Sequence, residues 1–284
     1  MRRLRSAVSA AMVGLALIGF TLTAVSGAYA GAVHDAGLFT TVLNPNDDGS
    51  TGVVNIGFGI NFFGLNGGNQ TTLFVNNNGN VTFEGPLSTF TPFNLITTGT
   101  PMLAPFFGDV DTRNAGSDVV RYGQSTIDGR AVFGVNWIDV GYYNQSADKL
   151  NSFQLIITDR SDTGAGNFDF EFNYDQIQWE TGDASGGSGG LGGSSARAGW
   201  SNGSTDSFEL DGSAVNGALL DSDCPGDTGL ICNSLNSNVL GRYVFQVRNG
   251  EIVDDTPSVP FPGTLMLLAA GLFGLASRQA LKRG

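Results

Sequence analysis

A stretch of eight residues near the middle of the chain alternates strictly between apolar and polar side chains. The apolar members are Phe168, Phe170, Phe172 and Tyr174, and the polar members are Asp169, Glu171, Asn173 and Asp175. Successive side chains of a strand point to opposite faces, so the pattern predicts a strand with one buried aromatic face and one wet, acidic face. A chain with such a strand must supply a second apolar surface to cover the aromatic face.

Other short segments are also rich in β-branched and aromatic residues and are bounded by turn residues. We predict further strands at 53–63, 73–75, 80–83, 103–107, 118–123, 130–140 and 242–247, and one that carries Phe153, Leu155 and Ile157. Residues 76–80 predict a tight hairpin, because Asn and Gly tolerate a positive φ. Glycine supplies 42 of 284 residues, which suits a chain with many turns.

These patterns predict an all-β protein. No stretch between the two ends of the chain shows sustained helical periodicity. We therefore expect a single antiparallel β-sandwich-like domain with long Gly-rich loops, spanning residues 31–250 and followed by a linker at 251–258. The glycine-rich segment 182–193 is interpreted as a flexible surface loop.

The N-terminus has the features of a secretory signal peptide. Three arginines precede an apolar run at 7–25, and Ala28 and Ala30 then form an A-x-A cleavage site. The pattern predicts a signal peptide at 1–30, cleavage before Gly31, and export. The alternative is an uncleaved N-terminal anchor.

The C-terminal segment 259–284 combines Val259, Pro260, Phe261 and Pro262 with an apolar run at 263–276 and with the basic residues Arg278, Lys282 and Arg283. On these features it resembles the PEP-CTERM sorting signal of Gram-negative bacteria. It implies processing by an exosortase-type enzyme, transient inner-membrane anchoring, and a final place at the cell surface, outer membrane or extracellular matrix. Phe261 stands where the family usually has Glu. A retained short hydrophobic helix is the alternative, although the apolar run is short for a ~30 Å hydrocarbon core.

The charge of the chain argues against nucleic acid as a partner. Six of the 14 basic residues and none of the 26 acidic residues lie in the two end segments. Residues 31–258 therefore hold 8 basic and 26 acidic residues and carry a net charge of −18. Such a surface repels phosphates, whereas divalent cations are a natural counter-charge.

The cysteines and the single histidine limit the chemistry of the chain. Cys224 and Cys232 are the only cysteines, and export would take them out of the reducing cytoplasm, so we predict a disulfide between them. One histidine, His34, leaves little basis for a zinc site or for a serine hydrolase. We predict no enzymatic activity and no catalytic residues.

Several distinctive segments follow one another along the chain: NNNGNVTFEGPLSTFTP at 76–92, LAPFFGDVDTR at 103–113, FGVNWIDVGYY at 133–143 and ARAGWSNG at 196–203. In this order they resemble the nidogen-like (NIDO) extracellular domain. The resemblance covers roughly residues 55–247. It implies association with an extracellular matrix or cell surface, and the sorting signal implies a link to exopolysaccharide and biofilm.

One metal site is a candidate. Asp109 and Asp111 are two residues apart, so an extended chain would place both carboxylates on one face, where they could share a calcium ion. The alternative is that both are ordinary solvated or turn-capping acids. No other cofactor is expected.

Two functions follow from the sequence. The first is an exported, non-enzymatic surface or matrix protein that acts in adhesion or biofilm, with extracellular polysaccharide or a matrix protein as its partner. The second is a secreted protein that binds or cleaves polysaccharide. The second function would use Trp137, Trp179 or Trp200 to stack on sugars, and Glu171 or Glu180 as acids.

Overall fold

The computed structural model describes residues 31–226 and 228–253, which form two antiparallel β-sheets packed face to face. The predicted all-β, sandwich-like fold is confirmed. The predicted signal peptide and sorting segment lie outside the described residues. The strands are β1 (Thr41–Val42), β2 (Val54–Ile60), β3 (Gln70–Asn76), β4 (Asn80–Thr82), β5 (Pro101–Phe107), β6 (Arg121–Ile127), β7 (Arg130–Tyr142), β8 (Ser146–Asp159), β9 (Phe168–Gln176), β10 (Arg197–Asn202), β11 (Ser207–Glu209), β12 (Arg242–Arg248) and β13 (Glu251–Ile252).

The helical elements of the described residues are single 3-10 turns. They lie at Ala36–Leu38, Leu65–Gly67, Asp183–Ser185, Asp221–Asp223 and Leu230–Cys232. Within 31–226 and 228–253, no helix has the length and apolar character needed to cross a membrane.

The larger sheet has the strand order β1-β6-β7-β8-β9-β12-β13. Its centre is the β8–β9 hairpin, in which Phe170 lies opposite Ile157. On the other side of β9, Phe170 lies opposite Phe245 of β12. The short strand β13 pairs with β12, so ordered sheet extends into the first residues of the segment predicted as a linker.

The smaller sheet has the order β11-β10-β5-β4-β3-β2. Strands β3 and β4 form the predicted hairpin, with Asn76 opposite Asn80. Gly79 has φ 72°, and a Cβ at this position would lie far inside contact distance of the Phe106 carbonyl oxygen. Only glycine fits a turn that lies so close to β5.

The core lies between the two sheets and is unusually aromatic. Phe170 stacks on Phe245 with ring centroids 4.6 Å apart, and Trp137 stacks on Phe153 at 5.2 Å. Phe168, Phe170 and Phe172 are fully buried, as their alternation predicts. Since each buried large apolar side chain contributes about 1.5–3 kcal/mol, these rings are a main source of the free energy of folding.

The polar face of β9 differs from the prediction. Asn173 is fully buried and Glu171 is only partly exposed, so this face is not freely wet. The reason is that residues 31–36 cross over it. The His34 Nε2 lies 3.1 Å from Glu171 Oε2, and the Arg242 Nη2 donates to the carbonyl oxygen of Ala32 at 2.7 Å.

The glycine-rich segment 182–193 is a folded loop and not a loose one. The backbone N–H groups of Glu180 and Thr181 donate to the Gly190 carbonyl, and Ser194 N–H donates to the Ser185 carbonyl at 2.9 Å. Gly190 packs closely against Trp179, which leaves no room for a Cβ. The abundance of glycine therefore reflects close backbone packing.

Candidate functional site

The loop between β1 and β2 meets the end of β5 at a cluster of three aspartates. Asp109 follows β5, whereas Asp47 and Asp48 lie in the 44–50 loop, which is part of the connection between β1 and β2. One carboxylate oxygen of each lies within 4.8 Å of one from each of the others. Asp47 and Asp48 were not singled out in the sequence, because about 60 positions separate them from Asp109.

Two asparagines of the β3–β4 hairpin hold the two loops together. Asn77 Nδ2 donates to the backbone carbonyls of Asp47 and Val110, each at 2.6 Å. Asn78 Nδ2 donates to Asp48 Oδ1 at 2.8 Å, and Asn78 Oδ1 accepts from Val110 N–H at 3.0 Å. The tight hairpin thus fixes the distance between the aspartates.

The cluster is short of hydrogen-bond donors. Asp109 is 1% exposed, and its Oδ2 has no hydrogen-bond partner. The Oδ1 of the half-buried Asp47 is likewise without a partner. Burial, together with the nearby Asp47 and Asp48, raises the pKa of Asp109 to about 8. Burial, together with Asp111 and Asp48, also raises the pKa of Asp47 to about 6.

Asp111 has quite different surroundings from Asp109, with which it was paired in the sequence analysis. Arg113 donates to both of its oxygens, from Nε at 2.8 Å and from Nη2 at 2.5 Å, and Gln145 N–H donates to Oδ2 at 2.8 Å. Burial alone would raise the pKa of Asp111, but these hydrogen bonds lower it below its usual value. Arg113 Nη2 also lies 3.0 Å from Asp47 Oδ2.

A second candidate surface is an aromatic groove of about 760 Å³, between the β10–β11 edge and the β12–β13 hairpin. Its aromatic lining consists of Phe63, Trp200, Phe208 and Phe245. Phe63 stacks on Trp200 with centroids 4.3 Å apart and an interplanar angle of 3°. Phe63 has φ 48°, which is strained for so bulky a side chain, and Trp200 Nε1 has no hydrogen-bond partner.

The other two tryptophans are core residues. Trp137 and Trp179 are fully buried, and their indole N–H groups donate to the carbonyls of Asn77 and Val140, each at 3.0 Å. Of the three tryptophans that were considered for sugar stacking, Trp200 is the one that lines a groove; it is 5% exposed, and Phe63 covers one face of its ring.

The two glutamates considered as glycosidase acids both have structural partners. Glu180 is fully buried and accepts hydrogen bonds from the N–H groups of Gly217 and Leu219, each at 2.7 Å. Glu171 lies on the outer face of the larger sheet and contacts His34 and Arg242. Each carboxylate thus joins segments that are distant in the sequence.

The predicted disulfide is confirmed. Cys224 and Cys232 are bonded, with Cα atoms 5.8 Å apart. The bond joins the 3-10 turns Asp221–Asp223 and Leu230–Cys232 beside the core. The closely packed Gly229 lies against both sulfur atoms.

Comparison with family models and with known proteins gives matches that point to one family. The family model described as "Nidogen-like domain" matches residues 71–249. Mouse (Mus musculus) alpha-tectorin is 34% identical over 231 residues, which cover 72% of this chain and 10% of that protein, and human (Homo sapiens) alpha-tectorin gives the same figures. Drosophila melanogaster nidogen is 28% identical over 148 residues, covering 44% of this chain and 10% of that protein.

The chain thus spans about a tenth of the length of these relatives. No solved structure gives a significant match. The family match covers more than half of the chain, and it includes the turn at 76–80, the aspartate cluster's Asp109, and Trp200, Phe208 and Phe245 of the aromatic groove, but not Phe63. The chain belongs to the nidogen-like domain family.

Proposed function

We propose that this protein is exported and acts as a non-enzymatic adhesion domain at the cell surface or in the extracellular matrix of a Gram-negative bacterium. The observation that carries the proposal is the nidogen-like family match over residues 71–249, which hold most strands of both sheets. The PEP-CTERM-like tail would provide transient inner-membrane anchoring and a substrate for an exosortase-type enzyme. Biofilm or exopolysaccharide is the setting that this tail favours.

Two properties of the molecule support an extracellular role. The Cys224–Cys232 disulfide suits an oxidising compartment. The net charge of −18 between residues 31 and 258 keeps a secreted protein soluble and disfavours nucleic acid as a partner.

The adhesion proposal is tested by co-sedimentation of the full chain, purified in mild detergent, with matrix from the producing cells. The matrix is used intact and after enzymatic removal of its polysaccharide. We expect saturable binding to the intact matrix. Binding that disappears with the polysaccharide identifies a glycan partner, and binding that survives identifies a protein partner. An absence of saturable binding to either preparation would contradict the adhesion role.

The aromatic groove favours a second candidate function, the binding of a polysaccharide. Flat aromatic rings beside polar groups form the kind of surface on which sugar rings stack. The charged residues of the groove lining are Asp206 and Glu251, both acidic. A neutral glycan therefore fits the groove better than an acidic one, which these carboxylates would repel.

Tryptophan fluorescence tests this second candidate. Neutral oligosaccharides should change the emission of the wild-type protein in a saturable way, because Trp200 lines the groove while Trp137 and Trp179 are fully buried. The Trp200→Phe variant should lose the change, and a Val215→Ser variant at an exposed site outside the groove lining should keep it. A response that survives Trp200→Phe would place the sugar elsewhere.

A further inference from the structure

The aspartate cluster has a property that ordinary surface acids lack. Its central member, Asp109, is 1% exposed, and its Oδ2 has no hydrogen-bond partner. Oδ1 of Asp47 is also buried and without a partner. A buried carboxylate oxygen with no donor is costly, so a group that supplies positive charge at this point would stabilise the fold.

Arg113, the basic residue that contacts the cluster, cannot fill this role. Its Nε and Nη2 atoms are bonded to Asp111, and Nη2 also contacts Asp47 Oδ2. One guanidinium therefore faces four aspartates, and Asp109, which is 1% exposed, receives no hydrogen bond from it.

We propose that Asp47, Asp48 and Asp109 bind a divalent cation of the oxygen-preferring class, and that this cation is calcium. The three carboxylates supply hard oxygen ligands, and their cluster contains no histidine or cysteine that would favour zinc or copper. The ligands come from two separate loops. Calcium accepts such irregular oxygen sets, whereas magnesium requires nearly ideal octahedral geometry.

Gly182 packs against the Asp109 carboxylate and limits how far this side chain can move. A Cβ at this residue would lie well inside contact distance of Asp109 Oδ2, yet Gly182 has φ −83°, a value that any residue adopts. The glycine is therefore needed for space beside Asp109 and not for its backbone conformation.

Asp111 is not among the proposed ligands, because its carboxylate already accepts hydrogen bonds from Arg113 and from the Gln145 N–H.

A cation at this place would join the 44–50 loop to the end of β5. Both segments already bond to the β3–β4 hairpin through Asn77 and Asn78. Because the cation would bind the folded chain and not the unfolded one, calcium should raise the unfolding temperature in proportion to the logarithm of its concentration above the dissociation constant. Extracellular calcium modules commonly bind with constants of about 0.1–1 mM.

The test uses the full chain, treated with EDTA and returned to calcium at constant ionic strength and neutral pH. We expect one calcium per chain by titration calorimetry, and a rise in Tm of roughly 3–10 °C at 10 mM calcium. The Asp48→Asn variant keeps an oxygen that can accept from Asn78 and should bind calcium at least tenfold more weakly. Asp109→Asn should lose the Tm shift.

Asp128→Asn is the matched control, since Asp128 lies in the β6–β7 turn at the far end of β7 from the cluster and has φ 51°, which Asn tolerates. This variant should keep the full calcium response. If Asp109→Asn does not fold, Asp48→Asn alone decides the matter. Calcium responses that are unchanged in the Asp48 and Asp109 variants would overturn the assignment of the ligands.

Three further outcomes would overturn the proposal. They are an unchanged Tm with no measurable binding, an equal response to magnesium, and a stability that rises on mild acidification without any response to calcium. The last would show a proton shared between the carboxylates in place of a metal. Because the assay contains no matrix, its failure would leave the proposed adhesion role untouched.

Discussion

At the scale of single residues, the structure depends on two kinds of close contact. In one kind, a glycine packs so tightly that no side chain would fit. In the other, a carboxylate is buried away from water. Gly182 lies against Asp109, and Gly79 lies against the Phe106 carbonyl. Neither contact can be derived from the local sequence, because each joins segments that the fold alone brings together. The positive φ at Gly79 was predictable from the Asn-Gly turn, whereas the ordinary φ at Gly182 gave no signal.

Substitution of Gly182 by alanine tests the close approach to Asp109. The new methyl group would overlap Asp109 Oδ2, and overpacking of this kind costs about 1–3 kcal/mol of unfolding free energy. Urea unfolding should show this loss. Gly85→Ala is the control, since its added Cβ meets no atom within 4 Å and its φ is not positive. Equal stability of the two variants would show that the Asp109 carboxylate moves freely.

Asp221 provides a pH-dependence prediction. Burial raises the pKa of Asp221 from 3.8 to about 6 in the folded protein. The folded state therefore holds this proton more tightly, and the associated stability is present below about pH 4 and is lost as the pH rises through about 6. Asp221→Asn keeps an oxygen for the Ile177 N–H and should flatten the stability curve between pH 4 and 6.

The measurement for Asp221 is the unfolding free energy of wild type and variant, obtained by chemical unfolding at each pH from 4 to 6. Subtracting the variant's value from the wild-type value at each pH removes the contribution of other acids such as Asp47. Val215→Ser, a change at an exposed site that adds and removes no ionisable group, should leave the wild-type pH dependence unchanged. A difference curve for Asp221→Asn that stays level from pH 4 to 6 would contradict the raised pKa.

At the scale of elements, sequence patterns predicted most strands but not which strands lie next to each other in the sheets. The alternation in β9, the apolar and β-branched segment at 130–140 that forms most of β7, and the Asn-Gly hairpin are local signals, and each corresponds to an observed element. The cover of residues 31–36 over the outer face of β9 and the meeting of Asp47 with Asp109 depend on strand order. Strand order is set by contacts between distant segments, which periodicity does not record.

The disulfide belongs to this scale, because it joins two 3-10 turns across a short loop. Replacement of both Cys224 and Cys232 by serine should lower the unfolding free energy by about 2.5 kcal/mol, the loop-entropy value for so short a loop. Guanidinium unfolding with and without a reductant measures the effect. The reductant should destabilise the wild type by a similar amount and leave the double variant unchanged. A wild type that is insensitive to full reduction would contradict this.

At the scale of the whole molecule, the dominant property is the negative charge. Residues 31–258 carry a net charge of −18, and several arginines already form ion pairs, such as Arg197–Glu209 and Arg248–Asp169. Repulsion among the remaining acids opposes the compact state and is screened by salt. This property follows from the sequence alone, while the pairing of each arginine required the structure.

We therefore expect sodium chloride to stabilise the full chain. Raising it from 10 to 300 mM shortens the Debye length from about 30 Å to below 10 Å and should raise the Tm by a few degrees. Thermal unfolding at constant pH in the presence of EDTA measures this without any calcium effect. A Tm that falls with salt would show that the ion pairs outweigh the repulsion.

The edges of the sheets bear on how such a protein behaves when it is crowded. Both edge strands of the larger sheet, β1 and β13, are two residues long. The edge strand β2 of the smaller sheet is longer, but its pairing register is broken between Asn55 and Ile60. Short or irregular edges offer a poor template for another chain to add a strand. Many copies held side by side would therefore resist growth into fibrils, and any ordered assembly would have to be built through loops and side-chain surfaces.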